Sequence, residues 1–286
     1  MSGATITEII RSALGVPACA IPLSLCRIQK PYLLSRAGIS EEGCAVLFAI
    51  PYTVEADRQD PNRNISLYAV PRDYHGYAKE LSDTLLPLLQ DSFPCNTFAL
   101  FTDHSPIAEA EAAAIAGLGV LGENGLLITP DYGSFVFLAE IITDADYLTV
   151  TGERIVSFPQ TPPTCERCGA CASACPGGCI ARKDRNRCLS ALTQKKGTLT
   201  AEEAEAIRRG GLAWGCDVCQ TVCPHNQRIQ DTPLPFFQKA RAARLTVEGL
   251  DAMSEDDFSS RAYSWRGRDT VRRNLLVLND TERSKP

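Results

Sequence analysis

The chain has 286 residues, of which 44% are apolar and 22% are charged, and its formal net charge is −5. These proportions exclude a disordered chain and a collagen-like repeat, and no apolar run reaches the length of a membrane span. Residues Met1–Gly15 lack the basic and apolar regions of a secretory signal. We therefore expect a cytoplasmic protein that spans no membrane. Its 13 cysteines are then expected to be metal ligands or redox groups rather than disulfides.

Helical and extended patterns alternate through the first 155 residues. Apolar residues at helical spacing predict a helix over 5–14, and the apolar run 44–50, closed by Pro51, predicts a buried strand. Ser105 and Pro106 are typical of a helix N-cap and a first helical residue. The region is expected to be an α/β-type domain with room for a pocket. Its further predicted elements are a polar loop at 57–64, a helix over 73–90, a strand over 96–101, a helix ending at Ala116, and strands over 126–129 and 135–142.

A proline-rich segment, Thr161–Thr164, marks a boundary before most of the cysteines. We expect three domains, at 1–160, 161–230 and 231–286. The second should contain a helix over 200–209, and the third should be a short helical tail with a helix near 270–278 and frayed final residues. The predicted fold class is α+β.

Charge differs between the two parts of the chain. Residues 1–163 contain 9 Lys and Arg against 19 Asp and Glu, whereas residues 164–286 contain 20 against 15. A polyanion would dock more readily on the second part, although a solvated basic surface is an equally good explanation of the charge alone.

The cysteines after Thr164 form two related motifs. The first reads Cys-x2-Cys-x2-Cys-x3-Cys-Pro and the second reads Cys-x2-Cys-x3-Cys-Pro. Closely spaced cysteines can supply three ligands of a [4Fe–4S] cube, and the cysteine before proline reaches the neighbouring cube. Cluster one would then take Cys165, Cys168, Cys171 and Cys223, and cluster two would take Cys175, Cys216, Cys219 and either Cys188 or Cys179.

Zinc is the alternative occupant of such motifs. Zinc sites pair two Cys-x2-Cys hooks and do not need two cysteine runs that each end in proline, so the spacing favours two [4Fe–4S] clusters. The scattered cysteines lie in or beside apolar segments, which is typical of inert buried thiols. They are Cys19, Cys26, Cys44 and Cys95.

An ordered set of motifs in both parts of the chain resembles the epoxyqueuosine reductases, which are cobalamin-dependent, two-cluster enzymes of tRNA modification. The resemblance covers about residues 40–280. Its motifs are Arg72-Asp73-Tyr74-His75, Thr102-Asp103, Ala116–Gly119, Gly122-Glu123-Asn124, Ile128-Thr129-Pro130, Gly133–Phe135, Phe137–Glu140, Arg187–Ser190, Leu192–Lys195, Gly215–Gln220 and Ser264–Gly267.

The resemblance implies a function and a set of site residues. It implies that Cys188 is the fourth ligand of cluster two and that Asp103 is the proton-donating acid. It also implies a corrinoid cavity lined by motifs that contain Arg72, Tyr74, His75, Asn124, Ser134 and Phe135.

The position of Asp103 gives this assignment separate support. Asp103 follows a predicted strand, and ligands of α/β sheets commonly lie in the crevice at that end of the strands. Ser105 is expected to cap the next helix, which leaves the Asp103 carboxyl available for chemistry. The glycines at 117, 119 and 122 follow a helix, so they do not match a dinucleotide-binding loop.

Our leading hypothesis is reduction of the epoxide of epoxyqueuosine in tRNA, with a small redox protein as electron donor. The expected tRNA contacts are Arg182, Lys183, Arg185, Arg187, Lys195 and Lys196.

Two other hypotheses remain. Glu123 stands where the family usually has Lys, Pro71 stands where it often has Gly, and no C-terminal helical-repeat domain is expected in this sequence. These departures favour a corrinoid reductase of a small molecule or of a corrinoid protein. An electron carrier without corrinoid is the non-enzymatic alternative.

Overall fold

The computed structural model describes residues 4–154 and 157–279, so the frayed end expected from the sequence lies outside the described residues. The strands are β1 (Ala18–Pro22), β2 (Cys44–Pro51), β3 (Phe98–Thr102), β4 (Val120–Leu121), β5 (Leu127–Ile128) and β6 (Val136–Thr143). The helices are α1 (Ile6–Leu14), α2 (Pro31–Ala37), α3 (Glu55–Arg58), α4 (Tyr74–Ser92), α5 (Glu109–Ile115), α6 (Tyr147–Thr151), α7 (Ala170–Ala174), α8 (Cys179–Arg182), α9 (Leu189–Thr193), α10 (Ala201–Gly210), α11 (Val218–Thr221), α12 (Pro235–Gln238), α13 (Val247–Ala252), α14 (Glu255–Ser259) and α15 (Arg268–Asn279). Short 3-10 helices lie at Leu23–Leu25, Leu67–Ala69, Arg185–Arg187, Pro224–Asn226 and Ser264–Arg266.

The chain divides into two compact units that do not follow its sequence order. The first unit contains the chain up to Pro51 and Tyr74–Arg167, and the second contains Tyr52–Asp73 and the chain from Cys168 onward. The segment Tyr52–Asp73 therefore belongs with the cysteine-rich part, which no motif in the sequence indicated. The three-domain division at 160 and 230 stays a prediction.

The first unit contains a four-stranded antiparallel sheet in the order β1-β2-β6-β3. Every residue of β2 is buried, in agreement with its continuous apolar sequence. α5 lies on one face of the sheet and buries its alanines against Leu47 and Ile142. α4 buries Leu81, Leu85 and Leu89 along one side and packs against β3. The result is an α+β unit with a hydrophobic core on the α5 face of its sheet.

Two expectations about the first unit are wrong. The helix after Ser105 begins at Glu109, and its N-cap position is Ala108. The Ser105 hydroxyl instead accepts a hydrogen bond from the backbone N–H of Ile107, because Pro106 supports a turn as readily as a helix start. The sheet is also antiparallel, so the crevice rule for parallel sheets does not explain the position of Asp103.

The second unit is built from short helices and loops around its own core. Trp214 and Tyr263 are fully buried there, with ring centroids 6.2 Å apart. The predicted helix near 200 is α10, whose capping box joins Thr200 and Glu203. α15 confirms the predicted tail helix. No helix in the described residues is long and apolar enough to cross a membrane.

Candidate functional site

Asp103 lies directly after β3 in a backbone conformation that few residues adopt. Its φ is +60°, and the N–H of His104 donates a hydrogen bond of 2.6 Å to the carbonyl of Thr102 across it. Asp and Asn occupy this left-handed region more readily than other residues with a side chain, but it remains uncommon. The tight turn ends β3 and leaves Asp103 exposed. Strained residues of this kind are frequent in functional sites.

A pocket of about 200 Å³, open to solvent, lies beside this turn within the first unit. Three of the residues expected from the sequence line it together, namely Tyr74, Asp103 and Ser134. Its other lining residues are Thr102, Glu109, Ala110, Gly125, Leu126, Leu127, Val136, Phe137 and Leu138.

An aromatic group forms one wall of the pocket. The rings of Tyr74 and Phe137 are stacked, with centroids 4.0 Å apart and planes 18° apart. The His75 ring also packs against Tyr74, with its centroid 4.2 Å from that of the Tyr74 ring. A flat apolar wall beside a carboxyl group suits a large planar or ring-shaped ligand.

The other expected corrinoid residues occupy different positions. Asn124 lies in the β4–β5 turn, where its side-chain oxygen accepts a hydrogen bond of 3.2 Å from Leu126 N–H. Phe135 is only 2% exposed and is part of the core. Arg72 belongs to the second unit, where it forms an isolated bridge with Arg261. The structure therefore gathers some of the expected residues at the pocket and does not place Phe135 on its surface.

Two carboxyl groups extend from the pocket towards the core. Glu109, the first residue of α5, lines the pocket, and Glu140 in β6 is fully buried. Burial, followed by the nearby Glu109 carboxylate, raises the pKa of Glu140 well above its usual range. Burial also raises the pKa of Glu109 to about 7, and the Asp103 carboxylate adds to this increase.

Sequence reasoning missed several of these pocket residues. Phe137 follows Ser134 and Phe135 in a motif that was noted, but no role was assigned to it. Glu140 left a clearer signal, because it is the lone charged residue within the apolar strand segment 135–142. A charged residue is almost never fully buried unless it is paired or functional, so this pattern could have identified it.

Cys175 in the second unit has surroundings suited to a metal-bound thiolate. Burial raises the pKa of its thiol, but backbone N–H groups of Ile180, Cys179, Gly177 and Gly178 outweigh burial and lower that pKa. Gly177 is needed here, since a Cβ at this position would collide with the backbone oxygen of Arg187. N–H donors directed at sulfur are a common feature of iron–sulfur sites.

Cys175 is also close to other candidate ligands. The thiol of Cys179 interacts electrostatically with those of Cys188 and Cys175. The thiol of Cys216 interacts with the same two thiols. Burial, followed by Cys188 and Cys175, raises the pKa of the Cys179 thiol to about 11. Three of the four thiols expected for cluster two, those of Cys175, Cys188 and Cys216, therefore lie near one another in one unit. Thiolate sulfurs are the ligands that an iron–sulfur cluster takes, so these donors fit one. Cys95, by contrast, is exposed, so its assignment as a buried thiol is wrong.

A buried ion pair fixes the loop that carries Cys216 and Cys219. Asp217 is 2% exposed, accepts a hydrogen bond of 2.7 Å from Arg63 and one of 2.9 Å from Leu67 N–H, and is bonded by the Ser66 hydroxyl. Gly215, with φ +71°, precedes this loop, and a Cβ there would meet Ser66. Segment Tyr52–Asp73 thus holds the second cysteine motif in place.

The basic residues expected to contact tRNA are all exposed in the second unit. Two of them have local roles as well. Lys195 forms an ion pair of 2.6 Å with Glu203, and Arg187 donates to the carbonyl of Gly177. Arg182 and Arg185 are accordingly better candidates for contacts with a polyanion.

Comparison with protein families identifies one domain in the second half. Residues 164–226 match the family described as a 4Fe-4S double cluster binding domain. This match confirms the iron–sulfur interpretation of the cysteine motifs over the zinc alternative. The chain carries a binding domain for two [4Fe–4S] clusters.

Curated relatives extend the comparison over most of the chain. An epoxyqueuosine reductase from Burkholderia pseudomallei is 36% identical over 234 residues, which are 78% of this chain and 56% of that protein. One from Gloeobacter violaceus is 33% identical over 222 residues, which are 74% of this chain and 67% of that protein. The chain thus spans little more than half the length of some of the curated relatives it matches.

Solved structures show the same fold. The structure of epoxyqueuosine reductase from Streptococcus thermophilus matches with a TM-score of 0.73 at 21% identity, covering 98% of this chain and 81% of that one. A crystal structure of epoxyqueuosine reductase with an epoxyqueuosine-modified tRNA-Tyr stem loop matches with a TM-score of 0.72 at 25% identity, covering 95% and 80%. Both matches extend beyond the cysteine-rich domain into the unit that contains the pocket.

Proposed function

The chain belongs to the epoxyqueuosine reductase family, and from this membership we propose that it reduces the epoxide of epoxyqueuosine in tRNA to give queuosine. The observation that carries the proposal is Asp103, a strained carboxyl residue at the rim of a pocket lined by Tyr74 and Ser134. Family membership favours this reductase over a plain electron carrier, since a carrier needs neither the pocket nor the acid.

We assign the cluster ligands as the cysteine motifs suggest, with Cys188 rather than Cys179 taken from the family resemblance. Cluster one takes Cys165, Cys168, Cys171 and Cys223, and cluster two takes Cys175, Cys188, Cys216 and Cys219. The convergence of Cys175, Cys188 and Cys216 supports the second set. Cys179 lies beside the same thiols and is the natural replacement if Cys188 is removed.

The pocket of the first unit is the proposed corrinoid and substrate site. Its stacked aromatic wall and open side fit one face of a large ring, and Tyr74, His75, Asn124 and Ser134 would hold that ring. Phe135 would support the wall from the core, and a role for Arg72, which belongs to the second unit, stays a prediction from the sequence. When bound, the corrinoid and the clusters supply two electrons, one at a time, from a small redox protein.

The proposed role of Asp103 follows from the balance of the reaction. Converting an epoxide to an alkene consumes two electrons and two protons and releases water. Asp103, at the pocket rim, would protonate the epoxide oxygen as its carbon–oxygen bond breaks, which is general acid catalysis. The exposed arginines of the second unit would hold the tRNA phosphates. A tRNA substrate and reduced cysteine ligands are both expected in the cytoplasm.

The test uses the full chain, reconstituted anaerobically with iron, sulfide and cobalamin. Incubation with epoxyqueuosine-containing tRNA and a reductant should produce queuosine, measured by mass spectrometry of the digested nucleosides. The variant Asp103→Ala provides the background. Queuosine at or below that background, from protein with full iron content and bound corrinoid, would contradict the proposal.

The tRNA part of the proposal has its own test. The same assay with the free modified nucleoside separates a tRNA enzyme from a small-molecule reductase. Turnover of tRNA but not of the nucleoside supports the tRNA assignment. Equal turnover of both would favour a small-molecule substrate.

A further inference from the structure

Glu109 and Glu140 form a carboxyl pair that the proposed reaction has not yet used. Glu140 has no exposed surface, and neither of its carboxyl oxygens makes a well-formed hydrogen bond in the described part of the chain, although the Ser105 hydroxyl lies nearby. One oxygen of Glu109 is also buried without such a partner. Burying an ionised carboxylate without enough hydrogen-bond donors is strongly unfavourable, so the pair requires an explanation.

A bound proton supplies the missing partner. The two carboxyl groups lie within hydrogen-bonding reach of each other, but two carboxylates have no hydrogen to share. Protonation of one of them creates a donor, and carboxyl pairs that share a site commonly retain a proton for this reason. The arrangement is therefore stable only when the pair carries at least one proton.

The surroundings decide where protons are held. The Ser105 hydroxyl lies beside Glu140, Lys30 acts on Glu109, and Cys26 faces Glu140. Burial, followed by Glu140 and Cys44, raises the pKa of the Cys26 thiol to about 12, so that thiol stays neutral. The neighbouring strands contribute apolar residues opposite Glu140, namely Leu47 and Phe101.

The pair has a route to the proposed acid. Glu109 and Asp103 line the same pocket, and the backbone N–H of Asp103 reaches the Glu109 carboxyl. Glu140 lies behind Glu109, towards the core. A proton on Glu109 can thus reach Asp103 within the pocket that both residues line. A protonated Glu140 can then hydrogen-bond the carboxylate that Glu109 becomes after it has given that proton away.

We propose that Glu109 and Glu140 form a proton store that reloads Asp103 during turnover. The inference rests on the proposed function.

The reaction needs two protons at one oxygen, and a single carboxyl delivers one. Asp103 gives the first proton to the epoxide oxygen, and Glu109 returns a proton to Asp103. Asp103 then gives the second proton, water leaves, and two protons from solvent restore Asp103 and Glu109. Two electrons from the redox protein complete the balance. Glu109 and Glu140 act through Asp103 and are positioning residues.

The first measurement does not depend on activity. Infrared spectra of the reconstituted full chain at neutral pH should contain the carbonyl band of a protonated carboxylic acid, shifted in deuterated buffer. Glu140→Gln should remove this band. Glu111→Gln, on the same helix but paired with Arg27 at the surface, should leave it unchanged. A wild-type spectrum without the band would overturn the store, whether or not queuosine is formed.

The second measurement is the pH dependence of turnover. In the wild type, kcat should fall as pH rises through about 7, where Glu109 loses its proton. Glu109→Gln should remove this limb and lower kcat by about ten- to a hundredfold, with KM for tRNA unchanged. Glu109→Asp should restore part of the rate, and Glu111→Gln should match the wild type.

The outcomes separate the two proposals. An active wild type whose pH limb survives in Glu109→Gln overturns the relay and leaves the reductase assignment intact. An inactive wild type rejects the proposed function, and the reloading of Asp103 is rejected with it, even if the infrared band is present. If Glu109→Gln fails to fold, the infrared result for Glu140→Gln, a change between groups of similar shape, decides the matter.

Discussion

Asp103 combines a chemical role with an unusual backbone conformation, so a substitution must separate the two. Asn tolerates the φ of +60° nearly as well as Asp does. For Ala this left-handed conformation costs about 1–2 kcal/mol. We expect Asp103→Asn to lower the rate of queuosine formation by about 10²- to 10⁴-fold with an unchanged melting temperature. Asp103→Ala should lose the same activity and also melt earlier. Equal activity of the Asn variant and the wild type would show that Asp103 is not the proton donor.

Glu140 should make the stability of the protein depend on pH. Its pKa is raised in the folded state by burial, so above the unfolded pKa, about 4.3, the folded chain binds a proton that the unfolded chain has released. Stability then falls as pH rises, by at most about 1.4 kcal/mol per pH unit, until the folded pKa is passed.

The variant Glu140→Gln removes this titration. We expect its melting temperature to exceed that of the wild type at pH 8.5 by more than at pH 6, measured anaerobically by circular dichroism. Glu111→Gln is the matched change on an exposed carboxylate and should show no such trend. A wild type and a Glu140→Gln variant with parallel pH profiles would show that Glu140 ionises normally.

The loop between α10 and α11 depends on a contact that is distant in sequence. Asp217 is buried against Arg63, with 2% and 12% of the side chains exposed. Removing one partner of such a pair costs about 3–5 kcal/mol, because the remaining charge stays buried. Asp217→Asn should therefore disturb the position of Cys216 and Cys219, and bound iron should fall from about eight atoms per chain towards about four.

The ion pair Arg272–Asp251 offers the control for this experiment. Its side chains are 44% and 48% exposed, and exposed pairs contribute about 0–1 kcal/mol. Asp251→Asn should keep its full iron content, measured by colorimetric iron assay against protein concentration. Equal iron in both variants would contradict the role assigned to the buried pair.

Elements with a strong local signal were predictable from the sequence. The apolar runs of β2 and β6, the helical spacing of α4 and the capping box of α10 all correspond to structure. β1 was missed because this short edge strand follows Pro17 and ends at Pro22, and prolines are tolerated at strand ends and edges. The start of α5 was placed too early because Ser-Pro is also typical of a turn.

The candidate site was predictable where a motif carries it. Asp103, Tyr74 and Ser134 were found through family motifs, and they line one pocket. Glu109 was missed because one acid in an alanine-rich helix has no special pattern, and its burial depends on tertiary packing. Phe135 does not line this pocket, because its side chain is buried in the core, and its expected role at the cavity stays a prediction.

Over the whole molecule, the two parts of the chain differ in net charge, the first being acidic and the second basic. We expect this difference to determine which part binds tRNA. Arg182 and Arg185 are exposed in the basic part. Changing both to Gln should weaken tRNA binding and reduce the slope of log K against log salt by about one to two. Arg36→Gln with Lys79→Gln, in the acidic part, is the charge-matched control and should bind as the wild type does. An unchanged slope in the first variant would place the phosphate contacts elsewhere.

The chain passes from the first unit to the second at Pro51, returns at Tyr74, and leaves again after Arg167. Arg63, Ser66 and Leu67, which fix Asp217, are therefore synthesised about 150 residues before it. On the ribosome, the early strands emerge long before the thiols that hold iron, and the inserted segment must wait for them. Cluster two can consequently form only after the part of the chain around Asp217 has been synthesised. A fragment that begins at Cys168 would lack the anchor that Arg63, Ser66 and Leu67 provide.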